Sequence, residues 1–220
     1  MPQVQLSEYD NSWYSSTRCK LVEILWYFTG APLIRFSLLP FSFVRSFLLR
    51  LFGAEVARGV VLKPGIRVKY PWLLSVGNHA WIGEDVWIDN LAPVIVGANA
   101  CISQGAYLCT GSHDWSDPAF GLRLGPIKVE DGAWIGARAM ICPGVRIEQC
   151  AVASAGSVVT RDIPAFEIHA GNPARFVRTR QILIKGKPPE MTESECRSAP
   201  SDSLNPSVYS ASSASQSQSE

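Results

Sequence analysis

The stretch Thr110 to Phe120, TGSHDWSDPAF, gathers one histidine, two aspartates and a tryptophan within eleven residues. Histidine has an unperturbed pKa of about 6.5, so His113 could accept a proton near neutral pH, as a general base must. Asp114 follows it directly. Adjacent residues of a strand face opposite ways, so Asp114 is not expected to orient its neighbour's ring; it either meets a substrate or holds the loop. Asp117 before Pro118 reads as turn chemistry. The other two histidines lie in a Gly-Asn-His corner (His79) and before an Ala-Gly-Asn-Pro turn (His169). His79 and His113, the closest pair, are 34 residues apart, and no metal site is expected.

What surrounds that stretch is a beat of six. Aliphatic residues fall at Val76, Ile82, Ile88 and Val94. After a two-residue slip the step resumes at Val96, Ile102 and Leu108. Beyond the stretch it returns at Val129, Ile135, Ile141, Ile147, Ala153 and Val159. Six matches neither an amphipathic helix nor an alternating strand. It matches a triangular coil of short strands, three hexads per turn, in which each inward aliphatic stacks on the one 18 residues later. Val129 then meets Ile147, and Ile135 meets Ala153. Small residues follow several of the aliphatic ones (Gly77, Gly83, Gly97, Ser103, Gly136, Ser154), as a tight corner with free φ would require. Leu108 and Val129 lie 21 residues apart, three more than a full turn of 18, so the chain must leave the coil between them. Excursions from a rigid scaffold are common places for function.

The beat, with GAWIGARAMICPGVRIEQCAVASAGSVVTRDIP and AGNPAR, resembles the hexapeptide-repeat acyltransferases. YPWLLSVGNHAWIGEDVWIDNLAPVIVG and ISQGAYLCTGSHDWSDPAF resemble more closely the colanic acid biosynthesis acetyltransferase branch, related to maltose and galactoside O-acetyltransferases. The likeness covers about Phe47 to Arg180. It implies an all-β, left-handed parallel β-helix, assembled as a homotrimer with active sites between subunits. It also implies acetyl-CoA as co-substrate and a sugar or lipid-linked saccharide as acceptor. The family's catalytic histidine sits in a T-G-x-H setting, which His113 matches. The expected reaction is direct transfer, with His113 taking the proton of the attacking hydroxyl.

By the same pattern Trp134 lines the cleft and backbone around Ala137 and Ala155 holds the pantetheine amides. Thr160 and Arg161 reach the far end, and Arg175 and Arg178 meet the nucleotide phosphates. Two departures stand out: Ala137 replaces a frequent Ser, and Arg161 a frequent Lys. Trp81 and Trp87 share the pre-aliphatic position of Trp134, so a tryptophan there is a weak signal by itself. Asp89 and Asn90, which break the small-after-aliphatic habit, are candidate contacts for sugar hydroxyls, with Asp114. Serine acetyltransferase is the enzymatic alternative, though it usually carries a larger helical N-terminal domain; a β-helical binding scaffold is the non-catalytic one.

Composition bounds the rest. A formal net charge of +1 over 220 residues argues against a general nucleic-acid binder. Six cysteines without a C-x-x-C pair read as mostly small buried apolar residues in a reducing compartment. Residues 1–16 read as a polar N-terminus without the order of a secretory signal, and a cytoplasmic location is expected, reaching to the inner face of the membrane. Residues 17–55 read as an apolar helical segment interrupted by Gly30, Pro32 and Pro40. Its basic bias (Arg18, Lys20, Arg35, Arg45 and Arg50 against Glu23) suits either a cap on the coil or a helix pair on a membrane surface. The coil is assigned to 56–165 with its excursion at 113–128, a C-terminal cap to 166–184 and a disordered tail, rich in Ser, Pro, Gln and Glu, to 185–220.

Overall fold

The computed structural model describes residues 3–36 and 41–182. The described residues up to Arg180 form one compact unit. The expected tail at 185–220 lies outside the described residues.

The core of the molecule is a parallel β-solenoid with three faces. The first face stacks Glu55–Val56, Leu74–Val76, Val94–Val96, Ile127–Val129 and Arg146–Ile147. The second stacks Val61–Leu62, Trp81–Ile82, Cys101–Ile102, Trp134–Ile135 and Val152–Ala153, and ends in an antiparallel pair, Glu167–Gly171 with Ala174–Thr179. The third stacks Arg67–Val68, Trp87–Asp89, Tyr107–Cys109, Met140–Ile141 and Val158–Val159. The registers Val129↔Ile147 and Ile135↔Ala153 are those the beat predicts. Every inward aliphatic from Val76 to Val159 is buried, so the apolar column is continuous. It starts one coil earlier than the beat read above, at Val56, Leu62 and Val68.

The small residue after each aliphatic has a different cause from the one expected. Gly77, Gly83, Gly97 and Gly136 do not have positive φ. A Cβ on any of them would stand 2.4–2.7 Å from the backbone of the next coil. They are small because the coils stack backbone on backbone at that point. The left-handed conformation falls two residues later, with φ of 55–79° at His79, Asp85, Asn99, Gly105, Gly132, Arg138, Gly144, Cys150 and Gly156. Both glycine and larger residues occupy it, so those corners leave a weaker mark in the sequence.

The two-residue slip also has a structural meaning. Upstream coils repeat every 20 residues, as in Val56↔Val76↔Val96, with the extra residues at the corner between the third and first faces. Asn90 lies at that corner, fully buried. Its side chain accepts from Tyr70 N–H at 3.0 Å and donates to Tyr70 C=O at 2.7 Å, clipping the corner to the one beneath. Thr110 continues the stack: its N–H donates to Asp89 C=O and its Oγ1 accepts from Ala92 N–H. The excursion therefore enlarges a corner that already carries insertions below. Leu108 and Val129 lie on adjacent faces, normally one six-residue step apart, so the departure is larger than the comparison with a full turn suggests.

Helix α1 (Lys20–Leu25) runs through a π turn (Trp26–Gly30) into α2 (Ala31–Arg35) without a break. The expected interruption at Gly30 and Pro32 does not occur. Ala31 N–H reaches back five residues to Trp26 C=O, and this widened turn absorbs a proline that cannot donate. Helix α3 (Ser42–Leu51) caps the open end of the coil. Ser42 Oγ bonds Val60 C=O and Leu62 N–H, while Arg50 donates to Val56 and Ala57 C=O, satisfying an edge that would otherwise be bare. Arg45 is fully buried and spans the carbonyls of Ile34, Phe36 and Phe41. Among the described residues no helix is long and apolar enough to cross a membrane. At the other end the cap expected at 166–184 is the Glu167–Thr179 hairpin within the compact unit. There Arg180 donates to Gly132 and Cys150 C=O at 3.0 Å each.

Only Cys109 among the described cysteines is buried; Cys19 is exposed and Cys101, Cys142 and Cys150 are half-buried. The buried-cysteine expectation fails because most of these residues occupy outward or corner positions, which the beat does not fill with core.

Candidate active site

The excursion is a β-hairpin. Gly111–His113 pairs antiparallel with Leu122–Leu124, and His113 sits opposite Leu122 at the end of the ladder, where the tip begins. One bond fixes its root, Gly125 N–H to Thr110 C=O at 2.9 Å, and another closes the start of its tip, Asp114 N–H to Gly121 C=O at 2.8 Å. Asp117 organises the tip by accepting from Ala119 and Gly121 N–H, as expected of a turn former. The Asp114 carboxylate accepts from Ser116 N–H and Oγ and pairs with the Arg123 guanidinium. Those bonds, Ser116 first, hold its carboxyl below the ordinary carboxylate range. This geometry assigns Asp114 to the loop.

The His113 ring is held by two aromatic neighbours. Phe120 stacks on it at 4.4 Å and 9°, and Tyr9 packs against it at 5.5 Å and 58°. Its Nδ1 lies 2.9 Å from Phe120 C=O. A carbonyl only accepts, so Nδ1 carries the proton and Nε2 of the neutral ring presents a lone pair. Tyr9 belongs to a segment that the sequence suggested was a plain polar terminus. Instead Gln5 N–H donates to Pro118 C=O at 2.8 Å and Tyr14 Oη to Leu91 C=O at 2.9 Å, so the segment straps the hairpin to the coil. Burial pushes the Tyr14 phenol well up. The aromatic residues Tyr9, Trp13 and Tyr14 in an otherwise polar run were the available signal.

Asp89 stands beside the same corner. Its Oδ2 accepts from Tyr107 Oη at 3.1 Å, and Lys69 Nζ lies 3.1 Å from Oδ1. That ammonium is at ion-pair distance, and Oδ1 is buried without a hydrogen-bond partner, so a hydroxyl does not reach it in this arrangement. Asn90 does not reach one either: it is fully buried, and its amide is bonded to Tyr70.

The donor-side candidates lie elsewhere. Trp134 is 45% exposed on the second face, and its indole donates to Ser103 Oγ at 2.8 Å. The registers Trp134↔Val152↔Ile168↔Arg178 place Trp134 and Arg178 in one outward column. Three strand spacings separate them, about 14 Å. Arg175 is exposed one step further along the same hairpin, opposite Ala170. Ala137 and Ala155 stack at the corner between second and third faces, where Gly156 N–H donates to Ala137 C=O at 2.8 Å. Thr160 and Arg161 are exposed just after the third face's last strand. His113 hangs from the opposite edge of that third face. One chain therefore does not bring His113 together with Trp134, Ala137, Ala155, Arg175 and Arg178.

The model of the hexapeptide repeat of succinyl-transferase matches residues 126–161. Over 156 residues the chain is 38% identical to the Escherichia coli protein named "Putative colanic acid biosynthesis acetyltransferase WcaF", covering 71% of this chain and 86% of that one. Among solved structures, the hexapeptide-repeat acetyltransferase VCA0836 of Vibrio cholerae superposes with a TM-score of 0.67 at 26% identity, over 74% of this chain and 95% of that one. A second structure of VCA0836 contains acetyl-CoA and superposes at 0.63 with 25% identity, over 74% and 85%. The maltose O-acetyltransferase of Clostridium difficile 630 gives 0.63 at 26%, over 74% and 90%. The solenoid, the T-G-x-H hairpin and this extent of identity place the chain in the hexapeptide-repeat acetyltransferase family, beside the colanic acid biosynthesis branch.

Proposed function

We propose that the protein transfers an acetyl group from acetyl-CoA to a hydroxyl of a saccharide, in the assembly of an exopolysaccharide or lipopolysaccharide, with His113 as general base. The observation that carries this reading is the clamped imidazole. Its Nδ1–H is committed to Phe120 C=O, and Nε2 presents a lone pair at a hairpin edge. The acceptor oxygen attacks the thioester carbonyl as its proton passes to Nε2. The tetrahedral oxyanion is held by N–H donors, the C–S bond breaks, and the proton returns from Nε2 to the departing sulfur. The Nδ1–H···O=C bond strengthens as the ring becomes cationic, which lowers the barrier where charge develops.

The pantetheine arm lies along the outward column from Trp134 past Ala137 and Ala155, with Thr160 and Arg161 near its far end and Arg175 and Arg178 at the phosphates. Since this column and His113 occupy different edges, the complete site is built between neighbouring subunits of a trimer. The test is CoA release from acetyl-CoA across a panel of mono- and oligosaccharides. Wild type should turn over with at least one acceptor, and His113→Ala should lose about 10²–10⁴ in rate. Equal turnover by the variant would remove His113 from the chemistry.

A further inference from the structure

The donor candidates stop at Trp134, but the corner they follow continues below it. Ala137 and Ala155 stand two residues after the second-face strands of their coils, and Gln104 and Glu84 hold the same place in the coils beneath. A pocket of about 300 Å³ opens there, lined by Trp81, Glu84, Cys101, Ser103 and Gln104, with Lys63 below. The register Trp81↔Cys101↔Trp134 makes it the continuation of the outward column. The Trp134 indole ends at the edge of this pocket, donating to Ser103 Oγ at 2.8 Å.

The lining suits an uncharged, largely apolar group. Trp81 and Cys101 give the pocket apolar walls. Burial, partly offset by a bond from Ser103, holds the Cys101 thiol above its ordinary value, so it stays protonated and behaves as a small apolar side chain. Lys63 and Glu84 are exposed and carry opposite charges, so neither an anion nor a cation is favoured. Direction follows from the column. Arg175 and Arg178 stand at its other end, with Trp134 between them and the pocket. A donor laid along the column with its phosphates at those arginines turns its acyl end toward Cys101 and Trp81. From Trp134 to Trp81 is two strand spacings, about 10 Å, more than an acetyl group fills.

We propose that this pocket receives the acyl group of the donor and has room for a short straight chain, so that the enzyme takes acyl groups longer than acetyl, butyryl among them. The inference rests on the donor placement proposed above for its direction and on the pocket itself for the chain length. The transfer is otherwise unchanged. The bond from the acceptor oxygen to the acyl carbon forms, the C–S bond breaks, and the proton passes through His113 to the departing sulfur. Each methylene taken from water into an apolar site adds about fourfold in affinity.

The experiment titrates CoA, acetyl-CoA, butyryl-CoA and octanoyl-CoA into the full-length protein by calorimetry. Butyryl-CoA should bind about fivefold or more tightly than acetyl-CoA, for two methylenes in a pocket open on its outer side. Octanoyl-CoA, whose chain outruns the pocket, should bind no more tightly than butyryl-CoA. Cys101→Phe, which fills the pocket, should bring butyryl-CoA down to the affinity of acetyl-CoA or below. Gln104→Trp fills it from an exposed corner and repeats the test should the first variant fail to fold. Equal affinity for acetyl-CoA and butyryl-CoA would overturn the proposal, as would a preference for butyryl-CoA that survives the filled pocket. So would affinity that keeps rising to octanoyl-CoA, the mark of an open apolar surface. Failure of CoA and all three thioesters to bind sinks the donor reading as a whole. Binding of acetyl-CoA with no gain for butyryl-CoA sinks the acyl pocket alone.

Discussion

His113 depends on neighbours that fix one ring nitrogen and leave the other available. Phe120 supplies the carbonyl and a stacked ring, and Tyr9 a tilted ring contact. Tyr9→Ala should lower kcat more than it raises KM, and Tyr9→Phe should restore it, because the contact is made by the ring. The C2–H resonance of His113, identified by its absence in His113→Gln, should shift and broaden in Tyr9→Ala; an unchanged resonance would reduce Tyr9 to a surface residue. Asp114 gives a pH-dependent counterpart. Its folded pKa is depressed, so its support of the hairpin is present above the ordinary carboxylate range and is lost as pH falls through the lowered value. Acidification and Asp114→Asn should therefore both increase amide exchange at Ser116, whose N–H the carboxylate accepts, while leaving the melting temperature near that of wild type. His113 and Asp117 were legible because the beat stops at them and their side chains have local jobs. Asn90 misled, since an amide clipping two coils and an amide awaiting a sugar look alike in sequence. Tyr9 stood out only as an aromatic in a polar run, and its partner, about a hundred residues away, could not be read from local pattern.

The solenoid could be read from its aliphatic column, one residue in six, because that column faces a single continuous core. What could not be read was why the following residue is small. Gly136→Val would force a Cβ against Ala155 N, 2.4 Å away, and Gly125→Ala would meet Gly144 N at 2.3 Å. Each should cost about 1–3 kcal/mol in chemical denaturation, the range of overpacking. A negligible loss would mean the coils can spread. The helical cap follows another logic. Arg45 satisfies three carbonyls from full burial, and burial lowers its pKa. Arg45→Met leaves those carbonyls bare and should destabilise by about 2–4 kcal/mol, measured the same way. Pro32 misled the reading of this segment because a proline in a helix usually breaks it, whereas the π turn before it here carries the chain through.

At the scale of the whole molecule, the third face separates the hairpin edge from the donor-side corner by its own width. Mixing His113→Ala with Arg178→Glu subunits, each inactive alone, should recover part of the activity if sites are shared between neighbours; no recovery would require both halves from one chain. The fold should also soften in alkali. Burial raises the Tyr14 and Tyr107 phenols above their usual value near 10, so the unfolded chain ionises first. Their contribution is complete below about pH 10 and is lost as pH rises beyond it, less steeply in Tyr14→Phe. The most direct test of the account is calorimetric titration of acetyl-CoA into wild type, His113→Ala and Arg178→Ala, with acetyl transfer to a saccharide measured on the same samples. The account predicts micromolar binding by wild type and His113→Ala, weaker binding by Arg178→Ala, and transfer lost in His113→Ala. A wild type that does not bind acetyl-CoA, or a His113→Ala that transfers as fast as wild type, would contradict it.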